Sequence, residues 1–444
     1  MAFPDNFLQT VATYQESGLA LLQNQNCFID TFSTKFKEFN EDYSANLGSS
    51  ITFDQPPRFV ENEGLVVSFG EANQRAVTLT CDQAKNVGYA ISSQELIFNL
   101  EKAGRDYLPV FAKSAIAQLG QVIEANLAQN ANSAVPVFTV NANGESVPTG
   151  ALHTESGPYR TFGDGLTAIN SYQQLAQMIT DFRNFGAVSH GIRVYLPDTV
   201  IDPIIGSGLN QFAPKRNDEI AMSWEIGEFG YPPVEYYRSN LLPIHTAGTL
   251  GQNGTTLTVV STDDPTGANI TSITFSGAGT DANAVKEGDI LTFQDGVSGQ
   301  TDLRFKVFIG DVNSAQKVQV RATADAASSA GNVTITFTPA LTVGQSNDDR
   351  IGINVNIVAG MQAKLLPNHK CGLVVGGDAA FLAMPRLPDQ EPFPTSSVAD
   401  EETGVSYRNY YGTLFGQNQQ GFVFDATWGS LVIPDYSMRI AFPV

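Results

Sequence analysis

The chain has 444 residues, with 45 acidic against 25 basic side chains, a net charge of −20 and only 16% charged residues. An acidic balance of this size excludes a protein built to grip nucleic acid, because displacing counterions from phosphate requires lysine and arginine. The length points to two or three lobes rather than one small core. A charge density below the usual quarter or so suits a surface largely covered by copies of the same chain. A β-rich protein with Gly- and Thr-rich loops would show it equally.

Cys27, Cys81 and Cys371 are far apart and odd in number. They form no disulfide framework and no C-x-x-C pair, which suits a reducing compartment. Met1 to Leu22 has neither a basic n-region nor an apolar h-region, so no signal peptide is expected. No apolar run approaches the length of a membrane span. The expectation is a protein made and used in a cytosol, or entering a particle from there.

Residues 1–50 are polar with scattered aromatics; Leu19, Leu21 and Leu22 suit a short helix, and the stretch reads as an arm that packs on something else. Ile51–Phe53, Leu65–Phe69, Ala76–Thr80 and Val87–Ile91 read as strands. The alternation in Ala76–Thr80 predicts one covered and one wet face. Together they predict a long hairpin over 51–91 with a charged tip, which has no core of its own and must lie on another surface.

Ser92 and Glu95 have capping-box spacing before Leu96, Leu100 and Ala103, a short helix that Gly104 interrupts. A second helix starts near Asp106, with Pro109 in its first turn. Leu108, Phe111, Ala112, Ala115, Ile116, Leu119, Val122, Ile123 and Leu127 form one apolar stripe. That helix, 106–129, would span on the order of 30 Å.

Ser171 and Gln174 make another capping box, Leu175, Met178, Ile179 and Phe182 supply its buried stripe, and Gly186 its stop. Ile192–Leu196 and Val234–Leu242 read as extended chain. Between 247 and 358 helix formers give way to Gly, Thr, Ser, Asn and Asp, and short alternating runs recur between turns. This is the pattern of a small antiparallel barrel or sandwich. Its abrupt limits mark an inserted domain, whose ends must lie close together. Beyond it, Cys371–Val375 is a strand, Gly377–Met384 a helical turn or two, 389–404 a solvated acidic loop, and Val405–Tyr411, Gly421–Asp425 and Met438–Phe442 are strands.

No reaction chemistry stands out. His153, His190, His245 and His369 lack metal-ligand spacing and read as structural or surface residues. No G-x-S-x-G elbow occurs. Gly376-Gly377-Asp378 and Gly163-Asp164-Gly165 read as tight turns rather than anion sites. Asp263, Asp264, Asp281, Asp289, Asp295 and Asp302 form no calcium loop and read as turn residues. No catalytic residue, metal or cofactor is expected.

Four stretches carry a resemblance: Arg75 to Leu96 (RAVTLTCDQAKNVGYAISSQEL); Ile244 to Thr249 (IHTAGT); Asn368-His369-Lys370 with the following strand and Pro385-Arg386-Leu387-Pro388; and Val405-Ser406-Tyr407-Arg408 through Trp428-Gly429 to Met438-Arg439-Ile440. In these runs and their order the chain resembles the major capsid proteins of tailed phages with the Hong Kong 97-type fold. It is most similar to the P-twenty-two-type coat-protein branch, which carries an inserted β-barrel.

The resemblance implies an α+β fold with N-terminal arm 1–50, extended-loop hairpin 51–91, peripheral domain with spine helix 92–135, a first peripheral and axial part 136–246, inserted barrel 247–358 and return segment 359–444. It implies self-assembly into hexamers and pentamers of an icosahedral shell, with a scaffolding protein and a portal as partners. Double-stranded DNA would be enclosed without sequence-specific binding and without membrane contact. The place would be the virion, after assembly in the host cytoplasm. Arg58, Phe59, Glu61 and Glu63 at the hairpin are candidate neighbour contacts, a solvated loop tip being the alternative. Two other readings stay open: a β-rich tail or surface protein that binds a receptor or glycan through 247–358, and an enzyme whose site has no signature.

Overall fold

The structure is a computed structural model. It describes residues 27–32, 50–55, 58–59, 75–92, 104–133, 139–140, 146–147, 156–187, 191–201, 234–308, 310–345, 348–377, 379–387, 395–399, 405–413 and 419–444. The expected helix at Leu19–Leu22, the strand at Leu65–Phe69 and the short helix begun by Glu95 lie outside them, as do Glu61, Glu63, His153 and His190. The chain divides into two compact units. One is Met1–Thr52, Thr78–Ala128 and Ala380–Leu431, and the other is Phe53–Val77, Gln129–Ala379 and Val432–Val444.

In chain order, α1 (Cys27–Thr31) is followed by β1 (Ser50–Gln55), β2 (Arg75–Thr80), β3 (Gln83–Ser92) and the long α2 (Gly104–Asn132). Then come β4 (Thr161–Phe162), α3 (Tyr172–Asn184), β5 (Ile192–Leu196), β6 (Val234–Arg238), β7 (Ile244–His245) and the single turn α4 (Thr249–Gln252). The insertion supplies β8 (Thr256–Thr262), β9 (Ile270–Ser276), β10 (Ile290–Phe293), β11 (Arg304–Lys306), β12 (Asn313–Lys317), β13 (Gln319–Ala322), β14 (Asn332–Val343), β15 (Ile351–Ile353) and β16 (Gln362–Leu365). The return holds β17 (His369–Gly376), β18 (Ala380–Ala383), β19 (Thr395–Ala399), β20 (Ser406–Thr413), β21 (Gln419–Val432) and β22 (Ser437–Phe442).

In the first unit, β18, β21, β20 and β19 form a sheet in that order, and β3 also pairs with β21. The β3 pairing is antiparallel and runs from Ser92 opposite Gln419 to Gln83 opposite Trp428. Alternation puts Phe422, Phe424, Ala426 and Trp428 on one face, where Tyr89 stacks on Phe422 at 5.1 Å. Trp428 is fully buried, and its indole N–H donates to Asn126 of α2 at 3.1 Å. The Glu124 carboxylate of α2 accepts from the Phe28 and Ile29 amides at 2.9 and 3.2 Å, which satisfies the open N-terminus of α1. Burial pushes the Glu124 carboxyl up, and these hydrogen bonds pull it back down.

Several expectations shift here. The strand over 83–92 leaves the predicted hairpin and joins the β21 sheet; β1 and β2 alone form the two-stranded pair. Val77 and Leu79 are buried and Thr78 exposed, as the alternation requires. The spine helix runs 29 residues, longer at both ends than 106–129. Its apolar stripe holds through Ile116, Leu119 and Ile123, but from Gln129 to Asn132 every residue is buried, polar ones included. Residues 380–383 form strand β18 where a helical turn was expected, and β19 lies within the stretch read as an acidic loop.

In the second unit a sheet runs β4–β22–β17–β5–β6, with β7 also on β17. Helix α3 covers it. Ser171 caps α3, accepting from the Gln174 amide at 3.4 Å, and Gly186 beyond its end has φ +80°. Leu175, Met178, Ile179 and Phe182 of α3 pack against Val194, Val374, Met438 and Ile440 of the sheet. Each such side chain contributes about 2 kcal/mol on burial.

The insertion is a closed barrel. Its strands pair in the order β9–β8–β16–β10–β13–β14, and β14 pairs back onto β9, while β15, β11 and β12 continue from β14. Every contact in this six-stranded ring is antiparallel. The inward residues, among them Phe275, Phe293, Phe305, Val320, Ile335 and Ala363, fill the interior. The ring takes its last strand from 362–365, beyond the expected edge at 358. Closure removes the open edges that a six-stranded sheet would otherwise present. The two ends of the insertion meet where His245 lies opposite His369 and Ile244 opposite Lys370.

Candidate functional site: a buried charged neck

The neck between barrel and host sheet holds a cluster of buried ionisable groups. His245 on β7 and His369 on β17 face each other with ring centroids 5.3 Å apart, both fully buried. Extended chain entering and leaving the insertion brings them into register. Asp289 sits in the turn before β10. One of its oxygens accepts from His245 Nε2 at 2.7 Å; the other accepts from the Gly248 and Lys286 amides at 3.0 and 2.9 Å. A carboxylate receiving this many donors acts purely as an acceptor.

His369 Nδ1 lies 2.7 Å from the Pro367 carbonyl, which fixes the ring proton on Nδ1. Its Nε2 lone pair therefore faces Arg439 Nη1, 3.5 Å away. Arg439 Nη1 also donates to the Gly288 carbonyl at 3.1 Å, and Nη2 to the carbonyls of Asn132 and, at 3.3 Å, Ser133. Arg321 of β13 comes from the barrel side. Its Nη1 donates to Ser133 Oγ at 2.8 Å, to the Ser156 carbonyl at 2.7 Å and to the Gly157 carbonyl at 2.8 Å.

These arginines solve a problem set by the sequence. Helix α2 ends with no basic residue in its last turn. Its last carbonyls and the negative end of its dipole are buried, and need donors from elsewhere. Arg439 from the host sheet supplies them at Asn132 and Ser133, and Arg321 from the barrel donates just beyond the helix end, to Ser133 Oγ and the Ser156 and Gly157 carbonyls. Gly288, at φ +84°, permits the contact: a Cβ there would come 2.4 Å from the Ser133 carbonyl oxygen and 3.2 Å from His245 Cε1.

Arg160, just before β4, continues the network. It donates to the Asp435 and Ser437 carbonyls at 2.9 and 3.1 Å and lies 4.0 Å over the Phe185 ring. Burial depresses all three guanidiniums, and Arg439 further depresses Arg321. The carbonyl acceptors keep them in place as cations. Burial holds His245 below the ordinary imidazole value, with Asp289 opposing and Arg439 adding to the effect. Burial, then Arg439 and His245, hold His369 well below it. Both rings are neutral near pH 7. The neck joins the end of α2, the host sheet and the barrel. Among the described residues no three His, Cys, Asp or Glu side chains converge on a metal position, and no helix is long and apolar enough to cross a membrane.

The residues singled out at the hairpin fare differently. Arg58 is buried, donating to the Asp348 carbonyl and, at 3.1 Å, to that of Arg350, with its guanidinium 4.6 Å over Phe308. It is engaged by the barrel of its own chain. Phe59 beside it is 66% exposed. Asp263 and Asp264 are turn acceptors, Asp264 taking the Thr266, Ala268 and Asn269 amides. Asp164 accepts from the Leu166 and Thr167 amides in the same way. The neck residues were visible only in part. An arginine inside the apolar run of Ser437–Phe442, and another after Val320, signal a cation that must be buried and paired. The partners could not be read from spacing.

No family model and no curated protein matches the chain. Among solved structures it is similar to one from Mycobacterium phage Che8, at 7% identity and a TM-score of 0.41, over 94% of this chain and 91% of that one. It is similar to the capsid of Myoviridae phage XM1 at 11% identity and a TM-score of 0.37, over 92% of each chain. It is also similar to the head structure of Helicobacter pylori bacteriophage KHP40 at 8% identity and a TM-score of 0.39, over 94% and 91%.

Proposed function

We propose that this chain is the major capsid protein of a tailed double-stranded DNA virus, with the Hong Kong 97-type fold. The observation that carries the reading is the order of elements: a strand pair, a 29-residue helix, a mixed lobe, a closed barrel inserted between paired strands, and a return into the same lobe. This is the order the sequence resemblance implies. The subunit's role is structural. Its copies associate into hexamers and pentamers of a closed shell in the host cytoplasm, guided by a scaffolding protein and fitted with a portal, and persist in the virion. Many modest contacts suffice, because closure multiplies them. The net charge of −20 suits a lining that encloses DNA without holding it. Phe59, exposed beside Arg58, is the hairpin residue through which a neighbour would be met. The packed interior of the barrel weakens the alternative of a receptor- or glycan-binding module, which would need a recess.

The test is electron microscopy and sedimentation of the chain co-expressed with a scaffolding protein from its own genome. Closed shells of uniform diameter are expected. A chain that stays monomeric under all assembly conditions, with and without scaffold, would overturn the proposal.

A further inference from the structure

The neck places two neutral histidines against a surplus of buried positive charge. His369 meets Arg439 at 3.5 Å and His245 at 5.3 Å between centroids. His245 meets Asp289, the carboxylate in contact with the pair. From β13 comes Arg321, from β22 Arg439, and from β17 Cys371. The turn at 286–289 adds Lys286, whose ammonium is turned to Asp325 at 3.0 Å, and Glu287, which acts on Arg321. The end of α2 contributes carbonyls and no charged side chain. A proton on His369 Nε2 would replace the lone pair facing Arg439 with an N–H, turning a contact into a repulsion between two cations in a dry site.

We propose that this neck is an acid-sensitive joint: protonation of His369 and His245 opens the contact between barrel, host sheet and the end of α2 at the neck while both lobes stay folded. The barrel's apolar core takes in Tyr159 and Phe185 of the host, the host sheet and α3 enclose a second core, and among the described residues the histidines stand in the neck rather than in either core. At the neck itself the lobes are held by the network just described. The sign follows from burial. A histidine held neutral when the neck is closed takes up a proton once the neck opens, so the open state binds more protons at any pH below about 6.5. Closure is therefore fully favoured above that pH and is lost as pH falls. From pH 7.5 to 5.5 the opening constant rises about 10-fold for one histidine and roughly 100-fold for both. The joint belongs to the subunit and is tested on the unassembled chain, so its failure leaves the capsid reading untouched.

The experiment is hydrogen exchange of the full chain at pH 7.5 and 5.5, followed by mass spectrometry and corrected for intrinsic exchange rates. Peptides covering 244–250, 286–291 and 366–371 are expected to lose protection by up to 100-fold more than those covering 270–276 and 332–337 of the barrel wall. His369→Gln is expected to remove about 10-fold of that excess. The Cε1–H signals of the wild-type chain give a second reading that needs no variant: two of its four histidines should titrate below pH 6.5, His369 well below it. Neck peptides that track the barrel wall would overturn the proposal. So would four histidines titrating near 6.5, or an excess that survives replacement of both His245 and His369.

Discussion

Replacing Arg439 by methionine keeps most of the side-chain volume and removes the guanidinium. The carbonyls of Gly288, Asn132 and Ser133 then lose a buried donor, and Arg321, bonded to Ser133 Oγ and to the Ser156 and Gly157 carbonyls, does not stand in for it. Stranding one buried polar group costs about 1–3 kcal/mol, and breaking a buried charged network from one side about 3–5 kcal/mol. Relief of the repulsion between Arg439 and Arg321 offsets a part. The expected net loss is about 3 kcal/mol, a large fraction of the ~5–15 kcal/mol that a whole domain has. Urea denaturation followed by far-UV circular dichroism reads it as a lower midpoint at unchanged slope. Arg439→Lys is the informative control. A lysine retains the charge but lacks the planar fork that reaches Gly288 on one side and the helix end on the other, so it should recover less than half the loss. A methionine variant within about 0.5 kcal/mol of wild type, or full rescue by lysine, would refute the account of the helix end.

Gly288→Ala should lower stability by about 2 kcal/mol or more, because φ is +84° and the new Cβ would overlap the Ser133 carbonyl; thermal unfolding checks it. Glu124→Ala removes the acceptor for the Phe28 and Ile29 amides and should expose 27–32 to protease at little change in global midpoint. Trp428→Phe loses the donor to Asn126 and part of a fully buried ring, for about 1–2 kcal/mol by urea midpoint. Phe59→Asp should leave the melting temperature of the free subunit unchanged while lowering shell yield by sedimentation; equal yield would remove Phe59 from the assembly surface.

Much of the fold was legible where local chemistry and tertiary burial agree. The alternation of Ala76–Thr80, the Ser171 cap, the Gly186 stop and the turn-rich rhythm of the insertion each reflect a rule acting within a few residues. The misreadings come from longer range. Ala380–Ala383 is a short apolar run after a glycine turn, for which helix and strand are indistinguishable by period. Gln362–Leu365 resembles a surface segment, because Lys364 alternates outward from the barrel it closes. In α2 the polar Asn126, Gln129 and Asn130 read as a solvent face, yet they are buried. Arg58 looked like a loop-tip charge because its acceptor lies 290 residues further on. The neck was beyond spacing rules altogether: His245, Asp289, Arg321, His369 and Arg439 come from separate elements that meet only when the insertion closes.

Because His245 lies opposite His369, the insertion could be cut out and its flanks rejoined without rerouting the host chain. Geometry makes it a removable cassette; chemistry does not. The cassette carries Arg321 and Gly288, so its excision would take the donor from Ser133 Oγ and the Ser156 and Gly157 carbonyls, just past the end of α2, and leave Arg439 short of an acceptor. The host has entrusted part of the seat just past its longest helix to a guest. A host freed of the guest should therefore fold more slowly or stop short, and comparing refolding of the shortened and full chains would expose that debt.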